Sequence, residues 1–295
     1  MNYGTDAKMI APFFIVQNEY VFDGTLPELT ATVPVFKRQS SMASLPLSAI
    51  SSRLNLGTLN LNSFGGMNID SLSFAQNTPM GYQLYINFRD SSVNIDAQWD
   101  QWPPLTCTTD ACWQTERVTL GDIPADDVLM SIAKEFADAH GIDLSHYGEP
   151  EEDKAWKTEY DRTTDKANAY IPDSLQVVFP LMIDGKTVLD QQGMPSGISF
   201  SVHVKQKKVM SVYGLMDRTY AKSDYPAVTD AAAVKTFLSR VDNYGPMPMD
   251  SMPKGTKVQT QKIILGEPTV GLSVYYSYQA NKREELVIPS LIFPV

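Results

Sequence analysis

A 295-residue chain with 43% hydrophobic and 20% charged residues has enough apolar material for one large or two medium domains with a real core. Its formal net charge of −10 and isoelectric point near 4.8 oppose phosphate backbones and anionic lipid headgroups, and no Lys/Arg cluster makes a local exception, so nucleic acid is excluded as an expected partner. No apolar run reaches the roughly eighteen residues of a membrane-spanning helix, and Met1-Asn2-Tyr3-Gly4-Thr5-Asp6 has neither the charged region nor the apolar core of a secretory signal.

The 19 prolines are spread along the chain and favour strands and turns over long helices. After an irregular lead-in, Phe13 to Val16 and Tyr20 to Phe22 read as a first strand, closed by Asp23-Gly24. Thr30 to Phe36 alternates as a second strand, and Pro34, which has no N–H to donate, predicts an edge position. Residues 38–75, rich in Ser, Asn, Leu and Gly, read as a long connection with one short strand. From Gly81 the alternation sharpens. Tyr82 to Phe88, a turn at Arg89-Asp90-Ser91-Ser92 and Val93 to Trp99 make a β-hairpin. Trp99, Trp102 and Trp113 follow closely; packing at the end of a sheet is the favoured reading, and a stacking or sugar-binding platform is the other.

Cys107 and Cys112 are the only two cysteines and lie in a polar, turn-prone loop. A disulfide between them is expected over two free thiols. The loop is short, so the bridge contributes only ~2 kcal/mol by chain entropy. It implies an oxidising compartment outside the cytoplasm. Two thiolates with no His or Cys nearby make half a tetrahedral metal site, and a thioredoxin-like site is disfavoured by the wider spacing. The chain therefore reads as cytoplasmic or as the mature or trimmed form of something longer, and the cysteine pair favours the second.

Asp122-Ile123-Pro124 opens a first helix, with Asp126-Asp127 early and a stripe of Val128, Leu129, Ile132, Ala133, Phe136 and Ala137. Gly141 is its expected stop. A strand-like stretch around Ala155 to Tyr160 follows, then a strong strand from Leu175 to Ile183, a turn at Asp184-Gly185, and two alternating strands at Ile198 to Val204 and Val209 to Leu215. A second helix runs from about Asp230 to Val241, with Thr229 as N-cap and Ala233, Val234, Phe237, Leu238 and Val241 as its stripe. Strands at about 257–265, 270–279 and 284–293 complete the chain. The expected fold class is α+β: antiparallel sheets with two helices, each on one sheet face.

No catalytic constellation stands out. His203, on an alternating strand with Ser199, Ser201 and Lys205, reads as solvent-facing or at an edge. His140 and His146 flank the helix end and suit its negative pole. No His-x-x-x-His pair, Gly-x-Ser-x-Gly elbow or phosphate loop occurs, since Gly65-Gly66 lies in a Ser/Asn stretch. Glu149, Glu151, Glu152 and Asp153 read as a solvated acidic face, because a calcium loop needs a glycine turn at fixed spacing. Met247, Met249 and Met252 form a soft-ligand cluster that suits a cuprous ion; an incidental flexible loop is the favoured reading. No catalytic, metal or cofactor-binding residue is therefore assigned.

One pattern recurs. Gly148-Glu149-Pro150 leads to Ile171-Pro172 and Phe179-Pro180, and Gly266-Glu267-Pro268 leads to Ile288-Pro289 and Phe293-Pro294. Each is preceded by one helix, which reads as a single unit used twice over a shared core. Tyr147 to Pro150, Ala169 to Pro172, Val178 to Pro180, Tyr220 to Tyr225 and the ending Glu285 to Val295 resemble uncharacterised bacterial membrane-anchored extracytoplasmic proteins. The helix-plus-meander unit over about residues 120–295 is similar in outline to PepSY-like and YycH/YycI-like domains, a likeness of topology only. The resemblance implies an extracytoplasmic module that inhibits or regulates a partner; no catalytic residue carries over, and the anchor of such proteins is not in this chain.

The sequence thus predicts an N-terminal β-rich region over 1–118 and α+β repeats over 119–223 and 224–295. The expected function is a non-enzymatic binding or regulatory module of the cell envelope, at the cell surface or in the periplasm and membrane-anchored in a longer form. Its partner would be a protein or envelope component, and no cofactor is expected. The alternative is an envelope hydrolase with a site between the N-terminal region and the repeats.

Overall fold

The computed structural model describes residues 14–28, 30–39, 70–102, 117–227, 230–240, 257–279 and 282–294. In chain order the elements are β1 (Phe14–Val21), β2 (Thr32–Arg38), β3 (Ser71–Ala75), β4 (Tyr82–Asn87), β5 (Ser92–Ala97), α1 (Asp126–His140), β6 (Glu151–Glu152), α2 (Ala155–Arg162), β7 (Ser174–Pro180), β8 (Met182–Ile183), β9 (Lys186–Leu189), β10 (Gly197–His203), β11 (Lys208–Met216), β12 (Tyr220–Pro226), α3 (Ala231–Arg240), β13 (Lys257–Ile264), β14 (Thr269–Gln279) and β15 (Lys282–Ile292). Short 3-10 turns lie at Trp99–Gln101 and Leu120–Asp122. The described chain is α+β with sheet dominant and mostly antiparallel; β1 with β13 and β9 with β14 are parallel pairs.

The seven-stranded sheet has the order β3-β4-β5-β11-β10-β7-β6. Alternation puts Leu84, Ile86, Val93, Ile95, Val177, Ile198, Phe200 and Val212 on one face, all fully buried or nearly so. Helix α1 covers that face. Its Leu129, Ala133 and Ala137, one turn apart, are fully buried, and Phe136 meets the rings of Tyr82 and Phe200 edge-on. Each such Leu, Ile or Phe contributes roughly 1.5–3 kcal/mol on burial. Helix α1 starts later than the sequence predicts. Asp122 is spent on the preceding 3-10 turn, where its carboxylate accepts the Thr119 N–H and hydroxyl at 2.8 and 2.7 Å. The helix ends as predicted: Gly141 is left-handed at φ 67°, Gly141 N–H reaches Asp138 O and Ile142 N–H reaches Ala137 O, which closes a Schellman motif.

Ala155–Arg162, read from sequence as strand-like, is helix α2. The error is one of period. Trp156 and Tyr160, four apart, pack together against the same core, a helical spacing that two aromatics in a short window disguised. The Pro34 edge is also corrected: β2 lies between β12 and β15 in the six-stranded sheet β12-β2-β15-β14-β9-β8. Its recorded pairing to β15 is at Phe36 and Lys37, beyond the residue that has no N–H to give. Asp184 and Gly185, both at positive φ, make the predicted hairpin turn between β8 and β9.

The chain divides into two compact units. One comprises Pro34–Ser223 and Gly271–Pro289. It contains the core above and a second cluster of Phe36, Leu181, Val188, Leu272, Val274 and Val287. The other comprises Met1–Val33, Asp224–Val270 and Ser290–Val295. There β1 runs parallel to β13 from Phe14↔Lys257 to Val21↔Ile264, and Phe22 meets Phe293 edge-on at 5.1 Å. Helix α3 is capped by Asp230, whose carboxylate accepts the Ala232 N–H at 2.8 Å; the expected cap, Thr229, lies outside the described residues. The stripe expected on α3 is not buried along its length, for Phe237 is 68% exposed.

The two Gly-Glu-Pro segments make one bond in common. Gly148 N–H donates to Pro180 O and Gly266 N–H to Pro294 O, each at 2.8 Å. What lies between differs. The first leads through two-residue β6 into α2, the second directly into the long strand β14, and Ile171-Pro172 precedes a strand whereas Ile288-Pro289 lies inside one. The described residues therefore do not follow a common helix-plus-meander order.

Candidate functional site

The second face of the seven-stranded sheet is polar. Because alternation buries the apolar set beneath α1, the intervening residues point the other way. Gln83, Asp96, Ser211, Ser201 and Gln176 are successive register partners across β4, β5, β11, β10 and β7. A second row runs beside it: Ser73, Tyr85 and Asn94 on β3, β4 and β5, then Tyr213, Ser199, Val178 and Glu151 on β11, β10, β7 and β6. Tyr85 and Tyr213 are 38% and 45% exposed, and Gln83 and Gln176 are exposed as well. Neighbours brace one another. Gln83 donates to Ser73 Oγ at 2.9 Å, Ser201 to Ser174 Oγ at 3.0 Å, and the Tyr213 hydroxyl donates to Asp96 Oδ1. That bond to the carboxylate is the main cause of a raised Tyr213 pKa, with burial second.

A bulge shapes this face. Between Val212 and Leu215 the register of β11 against β5 slips, and Gly214 sits there at φ 77°. A Cβ on Gly214 would lie 2.3 Å from Gly197 O, so the strand can pass only as glycine. The bulge leaves Tyr213 outward and returns Leu215 to the core. At the β6 end a cavity of about 320 Å³ opens, lined by Glu151, Asp153, Gln176, Asp190, Met194 and Ser199 among others, with no basic residue in its lining. A second cavity, of about 480 Å³, lies beside α1 and is lined by Met130, Lys134, Leu144, Tyr147, Glu149 and Phe179 among others.

The histidine expectation is corrected. His203 is buried, not solvent-facing, because Trp102 packs against it, with ring centres 6.3 Å apart. Burial lowers its pKa, opposed by Asp173. His140 stacks on Phe136 at 3.9 Å and meets its carbonyl oxygen at 2.8 Å, while His146 is exposed. Trp102 is the packing residue, 3% exposed, its indole N–H on Gly81 O at 2.7 Å. Its ring meets Tyr82, whose hydroxyl donates to Val209 O at 2.7 Å and whose pKa burial pushes up to about 12. Trp99 is 61% exposed; Trp113, the Cys107/Cys112 pair and Met247, Met249 and Met252 lie outside the described residues.

The acidic stretch is not uniformly solvated. Glu152 has a buried side chain that accepts the Trp156 indole N–H at 3.2 Å, and Asp126 and Lys154 join it, with Lys154 Nζ 2.6 Å from Asp126 Oδ2. Burial raises the Glu152 pKa, while the bond to Lys154 lowers that of Asp126. This is a structural pin between α1 and the start of α2. The charged cluster that sequence reading missed is Arg38, Arg218 and Glu285. Their side chains are 7%, 6% and 4% exposed, and Glu285 lies 3.2 Å from Arg38 Nε and from Arg218 Nη1 and accepts the Tyr220 hydroxyl at 2.7 Å. Burial opposes the Arg218 charge, but Tyr147, Tyr220 and Glu285 outweigh it and hold its pKa above the ordinary value. No local sequence signal joins residues so far apart in the chain.

Among the described residues no three His, Cys, Asp or Glu side chains come together as a metal site, and no helix is long and apolar enough to cross a membrane. No protein-family model, no curated protein and no solved structure matches this chain.

Proposed function

We propose that this chain is a non-catalytic binding or regulatory module of the bacterial cell envelope, working by protein contact through the polar face of its seven-stranded sheet. One observation supports this above the others: two exposed tyrosines and two rows of amide, hydroxyl and carboxylate groups stand on a sheet whose opposite face is fully packed. A polar sheet surface braced by its own side-chain hydrogen bonds suits contact with a polymer rather than enclosure of a small substrate. The location outside the cytoplasm is supported by the cysteine pair and the resemblance of Tyr147 to Pro150 and of the C-terminal segment. The hydrolase alternative calls for His203 or His146 beside carboxylates at a cavity. His203 is buried near Trp102, and neither histidine lines the two cavities described.

The test is site-directed photo-crosslinking of the full chain in envelope extract. A crosslinker at Gln83 or Gln176 is expected to capture a discrete partner, and one at Glu135 or Ser131 on α1 is not. Equal capture from both sides, or none from the sheet, refutes the reading.

A further inference from the structure

The two rows of the polar sheet face described above carry charge of one sign, and exposed Lys208, the register partner of His203, stands in the next row along. None of the outward residues of β3, β4, β5, β11, β10, β7 and β6 named above is Lys or Arg, whereas Asp96 and Glu151 stand in its rows. Asp153 and Asp190 add to Glu151 at the cavity where the second row ends. Two aromatic rings flank this field. Tyr85 and Tyr213 are separated in the second row by Asn94, two strand spacings or roughly 10 Å at about 4.8 Å each. The bond from Tyr213 to Asp96 fixes one of those rings beside a carboxylate. A cation placed on an exposed tyrosine ring gains about 0.5–1 kcal/mol, and more where a carboxylate stands beside it. Apolar Val178 and Met194 in the cavity suit the methylene stem of a long basic side chain, with its head among carboxylates.

We propose that this face docks a polypeptide segment rich in arginine or lysine, with Tyr85 and Tyr213 as the ring contacts, Asp96 between them, and the 320 Å³ cavity taking one basic side chain. The proposal rests on the reading of this face as the binding surface and adds the chemistry of the partner. Complementary charge also speeds encounter, which an overall charge of −10 already favours.

The probes are a deca-arginine peptide, a deca-glutamate peptide and maltohexaose, each titrated into the full chain by fluorescence anisotropy or calorimetry at 50 and 300 mM salt. The arginine peptide is expected to bind, more weakly at high salt, and the other two are not. Tyr85→Ser and Tyr213→Ser leave the net charge unchanged and are expected to weaken binding 2- to 5-fold each. Glu135→Gln on α1 removes a charge remote from this face and is expected to leave affinity within 1.5-fold. Equal loss from Glu135→Gln and the tyrosine variants means general charge attraction and overturns the proposal, as does binding of maltohexaose in place of arginine. Partner capture at Gln83 without arginine-peptide binding overturns the chemistry and leaves the surface standing; failure of both removes the surface as well.

Discussion

Replacing Glu285 by alanine leaves two guanidinium groups facing each other in the interior of the larger unit. The Arg38 and Arg218 side chains are 7% and 6% exposed, and the carboxylate is the anion within 4 Å of both. Arg38 Nη1 and Arg218 Nε already lack hydrogen-bond partners among the described residues, so there is no spare acceptor to take over. Breaking a buried ion pair from one side costs about 3–5 kcal/mol, and each kcal/mol lowers the melting temperature by about 2–4 °C at this size. Glu285→Ala is therefore expected to melt roughly 6–20 °C below wild type. Urea denaturation followed by tryptophan fluorescence, together with calorimetry, measures it. Glu284→Ala is the control. Its partner Lys37 lies 2.7 Å away at the surface, with side chains 35% and 50% exposed, and such pairs are worth about 0–1 kcal/mol. Substituting all three charged residues, Arg38→Met, Arg218→Leu and Glu285→Met, is expected to recover most of the loss. Glu285→Ala within about 1 kcal/mol of wild type would mean that water reaches the cluster, and the reasoning fails.

Gly214→Ala places a Cβ 2.3 Å from Gly197 O at a left-handed φ, and a loss of about 2–4 kcal/mol is expected by denaturation, against near neutrality for Ser199→Ala on the open face. Trp102→Ala removes a buried ring and is expected to cost about 3–5 kcal/mol, while Trp99→Ala stays within about 0.5 kcal/mol. The folded chain raises the Glu152 pKa by burial, so its protonated form is favoured at low pH and that contribution is lost as pH rises through the folded value. Glu152→Gln is accordingly expected to be more stable than wild type at pH 7, with the advantage gone near pH 4; an advantage that persists at acid pH refutes this. His203 shifts the other way. Its lowered pKa gives stability present above about pH 6.5 and lost as pH falls through the folded value, so His203→Gln should flatten the stability curve below pH 6.5.

Periodicity revealed most of the strands, because period two is a local property that a single stretch such as Tyr82 to Phe88 displays unaided. Gly141 and Asp184-Gly185 were legible for the same reason, since each turn needs its residue type in place. What was not legible depends on partners. Pro34 has no N–H wherever it sits, yet whether its strand is an edge is decided by β12 and β15. His203 alternates with serines, and it is Trp102, from another part of the chain, that covers it. Glu285 resembles Glu284 beside it in the sequence, but the pleat sends one to solvent and the other to two arginines. The polar sheet face followed in part: its alternation was visible, but the alignment of Gln83 with Gln176 across five strands is a fact of register.

The parallel pairing of β1 with β13 bears on how the chain is made. Phe14 leaves the ribosome well before its partner Lys257, which is 243 residues further along the chain. At ordinary elongation rates the strand waits roughly 12 to 50 seconds. Throughout that interval its backbone donors and acceptors, beside Phe14, Ile15 and Val16, stand ready to pair with a neighbouring nascent chain. A holding chaperone on β1, or slow dilute expression, is the condition under which this protein is best produced.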